Sequence, residues 1–252
     1  MQCPRAVIFD LDDTLAESFQ PPKHEMVEKL GLLLDRLPIA IMTAAGFARI
    51  EDQFLSKLIS SPFISRLYVF PNSTAECYIC EGGKWNTAYS ESLTADERRI
   101  ITAALQESLA DTEMFPPHPK YEPQIIDRDA QIALATLGLG ASFQEKKSWD
   151  PDQAKRKKLV EVLEKKIPQF EILMGGMTTI DITRKNINKA YGVGWLSARL
   201  GIPASEMLYV GDALYPGGND AVVIPTGIKV HAVNGPAETE QVIDELLKVC
   251  SA

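Results

Sequence analysis

The sequence predicts a doubly wound, mostly parallel α/β core with a smaller α+β module inserted into it. Three observations carry that expectation. First, short apolar runs end in acidic or hydroxyl residues: RAVIFD at 5–10, LPIAIMT at 37–43, and MLYV at 207–210 leading into Gly211 and Asp212. Such runs read as buried parallel strands that feed functional loops. Second, segments with helical spacing of apolar residues separate these runs, which is the rhythm of βαβ units. Third, that rhythm breaks at about residue 85 and returns after Asn188.

The elements follow in order. After the first strand, residues 25–36 place Met26, Leu30, Leu33 and Leu34 at helical spacing. The run at 37–43 is the second strand, 47–59 a helix, and 67–70 and 75–80 further strands. The middle opens with Thr94 and Glu97, spaced as a capping box for a helix reaching about Ala110. The proline-rich MFPPHPKYEP at 114–123 reads as a connector. Residues 124–137 and 171–183 look strand-like, and Asp150 followed by Pro151 marks a helix start between them. Asn188 then caps a helix that stops at Gly201, short strands fall at 222–224 and 229–233, and 238–249 is the closing helix. The expected organisation is a core from 1–84 and 188–252 with an α+β cap at 85–187.

Bulk properties narrow the partners. A chain of 252 residues, 45% hydrophobic and 24% charged, has the composition of a soluble globular protein with a core of its own. No apolar run approaches the roughly 18 residues that span a bilayer, and the first residues lack the pattern of a signal peptide. A formal net charge of -8 argues against nucleic acid or an anionic membrane as partner. It leaves room for a small anionic substrate held by a few cations. Four scattered cysteines fit a reducing, cytoplasmic setting better than a disulfide scaffold. Cys77 and Cys80 fall at an odd offset within one strand, so they should be buried on opposite faces rather than form a redox or zinc pair. The basic run at 155–158 belongs to a solvated helix face.

The chemistry concentrates at strand ends. Asp10 and Asp12, two residues apart at the end of a buried strand, should face one reaction centre, where open α/β sheets bind ligands. Asp10, Asp12 and Asp13 together are costly to bury without a cation, and oxygen ligands point to Mg²⁺. A solvated acidic turn is the plain alternative for those residues alone. Asp212, ending another buried strand, can complete the metal site, with Asn219 and Asp220 orienting ligands and waters behind it. The hydroxyl of Thr43 can bind a phosphoryl oxygen, and Lys189 can neutralise the transferring group.

In that order (Asp-x-Asp-x-Thr, Thr, Lys, Gly-Asp, Asn-Asp) these residues resemble the haloacid dehalogenase superfamily over essentially the whole chain. The cap between the Thr and Lys motifs resembles its type IIB (Cof-like) subclass. The resemblance implies Asp10 as the nucleophile that becomes an aspartyl phosphate. It implies Asp12 as general acid/base, also lending a backbone carbonyl to Mg²⁺, Thr43 and Lys189 as phosphate ligands, and Asp212 as the distal metal carboxylate. Two stretches are similar to eukaryotic-type phosphomannomutases: GDALYPGGND at 211–220, and GGMTTID at 175–181 running on to NKAY at 188–191. On that likeness Thr179 and Asp181 would contact sugar and Arg128 the distal phosphate.

The chain departs from the mutase pattern at three places. The second cap arginine falls eleven positions on, at Leu139, a third falls near Lys146 or Lys147, and the usual glycine after the second aspartate is Asp13. Losing an arginine fork weakens a two-phosphate clamp. The expected function is therefore a magnesium-dependent phosphatase of a small phosphorylated metabolite, a sugar phosphate. The alternative is interconversion of mannose 1- and 6-phosphate, and a more remote one is a non-catalytic sugar-phosphate binder. The sequence leaves a homodimer open.

Overall fold

The computed structural model describes residues 2–58, 61–110 and 120–250. Most of the proline-rich connector at 114–123, and the end of the helix expected at 47–59, lie outside the described residues. The chain divides into two compact units, one running to Ser90 and resuming at Asn188, the other Glu91–Ile187.

The larger unit is built on β1 (Ala6–Asp10), β2 (Ile39–Met42), β3 (Leu67–Phe70), β4 (Glu76–Glu81), β5 (Lys84–Ser90), β10 (Met207–Gly211) and β11 (Lys229–Ala232). They form one seven-stranded sheet in the order β11-β10-β1-β2-β3-β4-β5. The first four pairings in that order are parallel, and the β3–β4 and β4–β5 pairings are antiparallel. Helix α1 (His24–Leu34) follows β1. After β2 the short α2 (Phe47–Ile50) passes through a π-helical turn (Glu51–Leu55) into α3 (Ser56–Leu58).

Alternate residues of the central strands pack on opposite faces. Val7, Phe9, Ile39, Ile41, Leu208 and Val210 meet Met26, Leu30 and Leu33 of α1 together with Ile243 and Leu246. Ala6, Ile8, Ala40, Met42, Met207 and Tyr209 meet Val193 and Leu196. Burial on both faces explains why these strands are continuous apolar runs. Cys77 and Cys80 fall into these two opposite clusters, as their odd offset predicts. Both are buried and free.

The smaller unit packs α4 (Ala95–Leu109) and α6 (Ala154–Lys166) on a four-stranded antiparallel sheet, order β6-β7-β9-β8. Its strands are β6 (Ile125–Asp127), β7 (Ile132–Ala135), β8 (Phe170–Gly175) and β9 (Thr179–Arg184), and α5 (Phe143–Trp149) lies between the two hairpins in sequence. Ile101, Leu105, Leu159 and Leu163 cover Ile132, Leu134, Ile180 and Ile182. The Thr94–Glu97 capping box is present.

Several expectations need correction. The division falls at Ser90/Glu91 rather than 84/85, because β5, mostly exposed along its length, pairs with β4 and so belongs to the large sheet. The runs at 124–137 and 171–183 are hairpins, turning at Asp129 (φ 61°) and Gly176 (φ 43°). Helix α6 starts at Ala154, and Pro151 stays in the turn before it. Residues 222–224 lie in a 3₁₀ helix (Ala221–Thr226), not a strand. Cys3 and Cys250 form a disulfide, with Cα atoms 5.1 Å apart and a separation of 247 positions in sequence. Spacing along the chain carries no trace of that pairing; the fold creates it, and a reading of reduced, unpaired cysteines does not anticipate it. Among the described residues no helix is long and apolar enough to cross a membrane.

Candidate active site

Parallel strands β1, β2 and β10 bring three loops to their carboxyl ends. Asp10 is the last residue of β1 and is buried. Helix α7 (Lys189–Leu200) begins at Lys189, capped by Asn188, whose side chain accepts from Ala190 N and Tyr191 N. Thr74 holds that start by donating its hydroxyl to Asn188 O at 2.6 Å. It does so from a left-handed conformation (φ 68°), rare for a β-branched residue. Its carbonyl also takes the Tyr89 hydroxyl at 2.6 Å.

Lys189 is the hub. Its Nζ donates to Asp10 Oδ1 at 2.7 Å and to Asp220 Oδ1 at 2.5 Å, and all three residues are buried. Asp220 Oδ1 also accepts from the Tyr209 hydroxyl at 2.5 Å, and its Oδ2 from Ala213 N at 3.0 Å. Gly211 is required here: a Cβ would come within 2.3 Å of Asp220 Oδ2. Thr14 ties the β1 loop to the β10 loop, donating to Asp212 Oδ1 at 3.3 Å and accepting from Asp212 N at 3.1 Å. Thr43, buried just past β2, accepts from Ala45 N at 3.1 Å through its hydroxyl oxygen, leaving the hydroxyl proton to donate. Asn219 is half-buried on the same loop as Asp220.

One ammonium faces three carboxylates. Burial alone would strip the Lys189 proton, but Asp10 and Asp220 outweigh it and hold the group charged. The excess negative charge then falls on the acids. Burial pushes the Asp10 carboxyl well above its ordinary range, opposed by Lys189 and reinforced by Asp220 and Asp212. Asp10, Asp212 and Asp220 each offer an oxygen, all within 4.8 Å of one another. An all-oxygen, net-negative cluster fits a hard divalent cation.

The same surroundings raise Asp212 to about 6, by burial first and Asp220 second, against 3.8 for an unperturbed carboxyl. Between those values the folded protein keeps a proton that the unfolded chain has lost. The stability cost of this group therefore grows as pH rises from about 4 to 6, reaching about 3 kcal/mol. Without metal, the Asp212 contribution to stability is expected to fall over that range. Mg²⁺ should then raise the melting temperature more at about pH 7.5 than at pH 5, where it must displace the proton. Thermal melts with and without chelator measure this; equal shifts at both pH values would place the metal elsewhere.

Asp12 does not join the cluster. Strand β1 ends at Asp10, so the two-residue alternation no longer governs where Asp12 points. Its carboxylate turns to Arg49 instead, accepting from Nη2 at 2.6 Å and Nη1 at 3.2 Å, and Oδ1 also takes Phe19 N at 3.1 Å. Asp13, standing where the resemblance expects glycine, adopts φ 58° and anchors Ser18, accepting from its N at 3.0 Å and its hydroxyl at 2.7 Å. These local bonds explain how a non-glycine residue is held there.

In the smaller unit, Arg128 lies in the β6–β7 turn, not on a strand, and donates to Gln131 Oε1 at 2.8 Å. The flanking Asp127 and Asp129 pair with Arg98, at 3.6 and 2.6 Å. Thr179 and Asp181 share one face of β9, beside Gly175, and Thr179 donates to Gly175 O at 2.5 Å. A buried pin holds that hairpin turn: Arg156 bonds Asp150 Oδ2 at 2.9 Å and Gly176 O at 2.6 Å. Leu139 is exposed, while Lys146 is buried on α5. Arg49, Tyr209 and Arg156 are the residues not singled out from sequence.

Asp10 at the end of β1, Asp212 just past β10, Asp220 farther along that loop and Lys189 at the start of α7 gather in a fold of the haloacid dehalogenase superfamily. Solved structures agree on the fold. IMP-nucleotidase of Plasmodium falciparum, in its N-terminally truncated, IMP-bound form, superposes with a TM-score of 0.71 at 17% identity, over 98% of this chain and 68% of that one. Trehalose-6-phosphate phosphatase of Aspergillus fumigatus gives 0.58 at 13% identity, over 97% and 93%. The sequence model of the eukaryotic phosphomannomutase family matches residues 26–249, and the chain belongs to that family. A probable phosphomannomutase of Caenorhabditis elegans is 25% identical over 96% of this chain and 95% of its own length. Phosphomannomutase 2 of Dictyostelium discoideum is 23% identical over 94% of each. The protein is thus an enzyme of this superfamily, and the non-catalytic reading is set aside.

Proposed function

We propose that this enzyme is a magnesium-dependent phosphatase of a small phosphorylated metabolite, a sugar phosphate, working through an aspartyl phosphate on Asp10. The observation that carries this is the buried Lys189 ammonium bridging Asp10 and Asp220 beside Asp212. Phosphoryl transfer needs a carboxylate nucleophile and concentrated positive charge, and little covalent chemistry besides. The names of the relatives, mutases and phosphatases of phosphorylated sugars among them, support the substrate class.

In the first step an Asp10 oxygen attacks phosphorus in line as the bond to the leaving oxygen breaks. Asp12 gives that oxygen its proton. Lys189 offsets the charge gathering on the phosphoryl oxygens, and the Thr43 hydroxyl donates to one of them. In the second step water attacks phosphorus, Asp12 takes its proton, and the bond to Asp10 breaks to release inorganic phosphate. Mg²⁺, held by Asp10 and Asp212 with Asn219 and Asp220 behind them and the Asp12 carbonyl as a further ligand, would supply further charge neutralisation. The smaller unit reads the substrate: Arg128 grips a second anionic group, and Thr179 and Asp181 the sugar hydroxyls.

Family membership favours a second reading, phosphomannomutase, in which a sugar hydroxyl replaces the water. Against it, the side chain where a second arginine would clamp a bisphosphate is Leu139, 48% exposed. A panel of sugar phosphates, with and without glucose 1,6-bisphosphate, separates them. Phosphate release supports the phosphatase; interconversion of mannose 1- and 6-phosphate without release overturns it. Arg128→Ala is expected to raise KM for the preferred sugar phosphate about ten- to hundredfold, the worth of a charge-assisted contact. KM for p-nitrophenyl phosphate, which offers no second anion, should hardly change. Equal effects on both would remove Arg128 from the substrate site.

A further inference from the structure

The carboxylate of Asp12 is engaged in a way that the two-step chemistry does not use. Arg49 Nη2 and Nη1 fork onto its two oxygens, and Phe19 N shares one of them. Arg49 is itself held from behind: its Nε donates to Gln53 Oε1 at 3.2 Å, and its guanidinium lies 5.1 Å from the centre of the Phe19 ring. Arg49 sits on α2, at the carboxyl end of the sheet and six residues after Thr43, where anionic ligands are expected to enter. The helix that carries it changes from α to π geometry at Glu51, a device common at functional sites.

An acid/base must present a free oxygen to the proton it moves. Oδ2 keeps a lone pair beyond its bond to Nη1, but the fork directs the carboxylate at Arg49 and outside the Asp10–Asp212–Asp220 cluster, so Asp12 reaches the leaving oxygen or the attacking water only once that fork opens. A guanidinium fork fits phosphate as well as carboxylate. We infer that Arg49 is a positioning residue that latches Asp12 away from the reaction centre, and that an arriving phosphate takes the guanidinium and releases Asp12. The latch rests on Asp12 being the acid/base, as proposed above. It would slow attack of water on the aspartyl phosphate whenever no substrate anion is bound: water oxygen to phosphorus, water proton to Asp12, and scission of the bond to Asp10.

The test is steady-state turnover of p-nitrophenyl phosphate with Mg²⁺. Its leaving group departs without a proton, so the rate reports Asp12 acting on water. Wild type, Arg49→Ala, Arg49→Lys, Asp12→Asn and the double variant Asp12→Asn/Arg49→Ala are compared, each checked for a wild-type circular dichroism spectrum. A latch predicts that Arg49→Ala raises kcat about tenfold or more, the scale of a charge-assisted hydrogen bond. Arg49→Lys, which keeps the charge without the fork, should fall between, and the gain should vanish in the Asp12→Asn background. A higher KM at unchanged kcat would make Arg49 a substrate ligand. A lower kcat in both Arg49 variants, or a misfolded alanine variant beside a lysine variant no faster than wild type, would make it structural; each overturns the latch. Failure of the underlying reading looks different: Asp12→Asn would then turn over as fast as wild type.

Discussion

Asp10→Asn is expected to abolish turnover while leaving the fold intact, and to do so without loss of stability. Replacing the nucleophile with an amide should cost about 10⁴-fold or more in kcat, the scale seen when a covalent nucleophile is removed. The stability outcome is the sharper half of the prediction. Asp10, Asp212 and Asp220 share one Lys189 ammonium, so the metal-free cluster carries excess negative charge at neutral pH. An amide at position 10 can still accept from Lys189 Nζ, and it relieves part of that repulsion. The metal-free variant should therefore melt at or above the wild-type temperature, and Mg²⁺ should raise its melting point less. Calorimetry with and without Mg²⁺, alongside a phosphatase assay, checks both halves. A tenth of wild-type kcat in folded Asp10→Asn would remove Asp10 from the nucleophile's role. A large drop in metal-free stability would mean that the carboxylate is structurally required rather than tolerated for chemistry.

Most of the parts of this site that are legible in sequence share one property: each ends a buried apolar run. Asp10, Thr43 and Asp212 were found because a strand covered on both faces must be apolar throughout, so the first polar residue marks its carboxyl end. Lys189 was found because Asn188 announces a helix start beside it. What stayed hidden was set by contacts distant in sequence. Arg49 reaches Asp12 across 37 residues, and nothing in the spacing of either marks the pair. Tyr209 reads as one more apolar residue of its strand until its hydroxyl is seen on Asp220. The hairpins of the smaller unit look like single strands in sequence because an apolar run on each side of a three- or four-residue turn keeps its average character through the turn. Strand β5 escapes that reading for the opposite reason: an edge strand that buries only Trp85 and Tyr89 in part has no need of an apolar run.

Lys189→Met carries the second large effect, because among the described residues it removes the only cation paired with Asp10 and Asp220. Methionine keeps most of the stem's volume, so the change is chiefly one of charge. Lys189, Asp10 and Asp220 are 4, 5 and 0% exposed, so little water can replace the ammonium. Breaking a buried ion pair from one side costs about 3–5 kcal/mol, because the partner charge is left uncompensated. For a chain of this size that is a fall of roughly 10 °C in melting temperature at neutral pH. The loss should shrink at low pH, where Asp10 and Asp212, already raised toward neutrality, take up protons instead. Mg²⁺ should restore more of the melting temperature in the variant than in wild type, since it becomes the only cation in the cluster. It should not restore turnover, because the charge that Lys189 brings to the phosphoryl oxygens is not replaced. Adding Asp220→Asn to Lys189→Met removes the stranded carboxylate and should recover stability but not activity, which separates charge balance from chemistry. A Lys189→Met variant that melts within about 2 °C of wild type without metal, less than 1 kcal/mol at this size, would mean that Asp10 and Asp220 do not carry the paired charge described here.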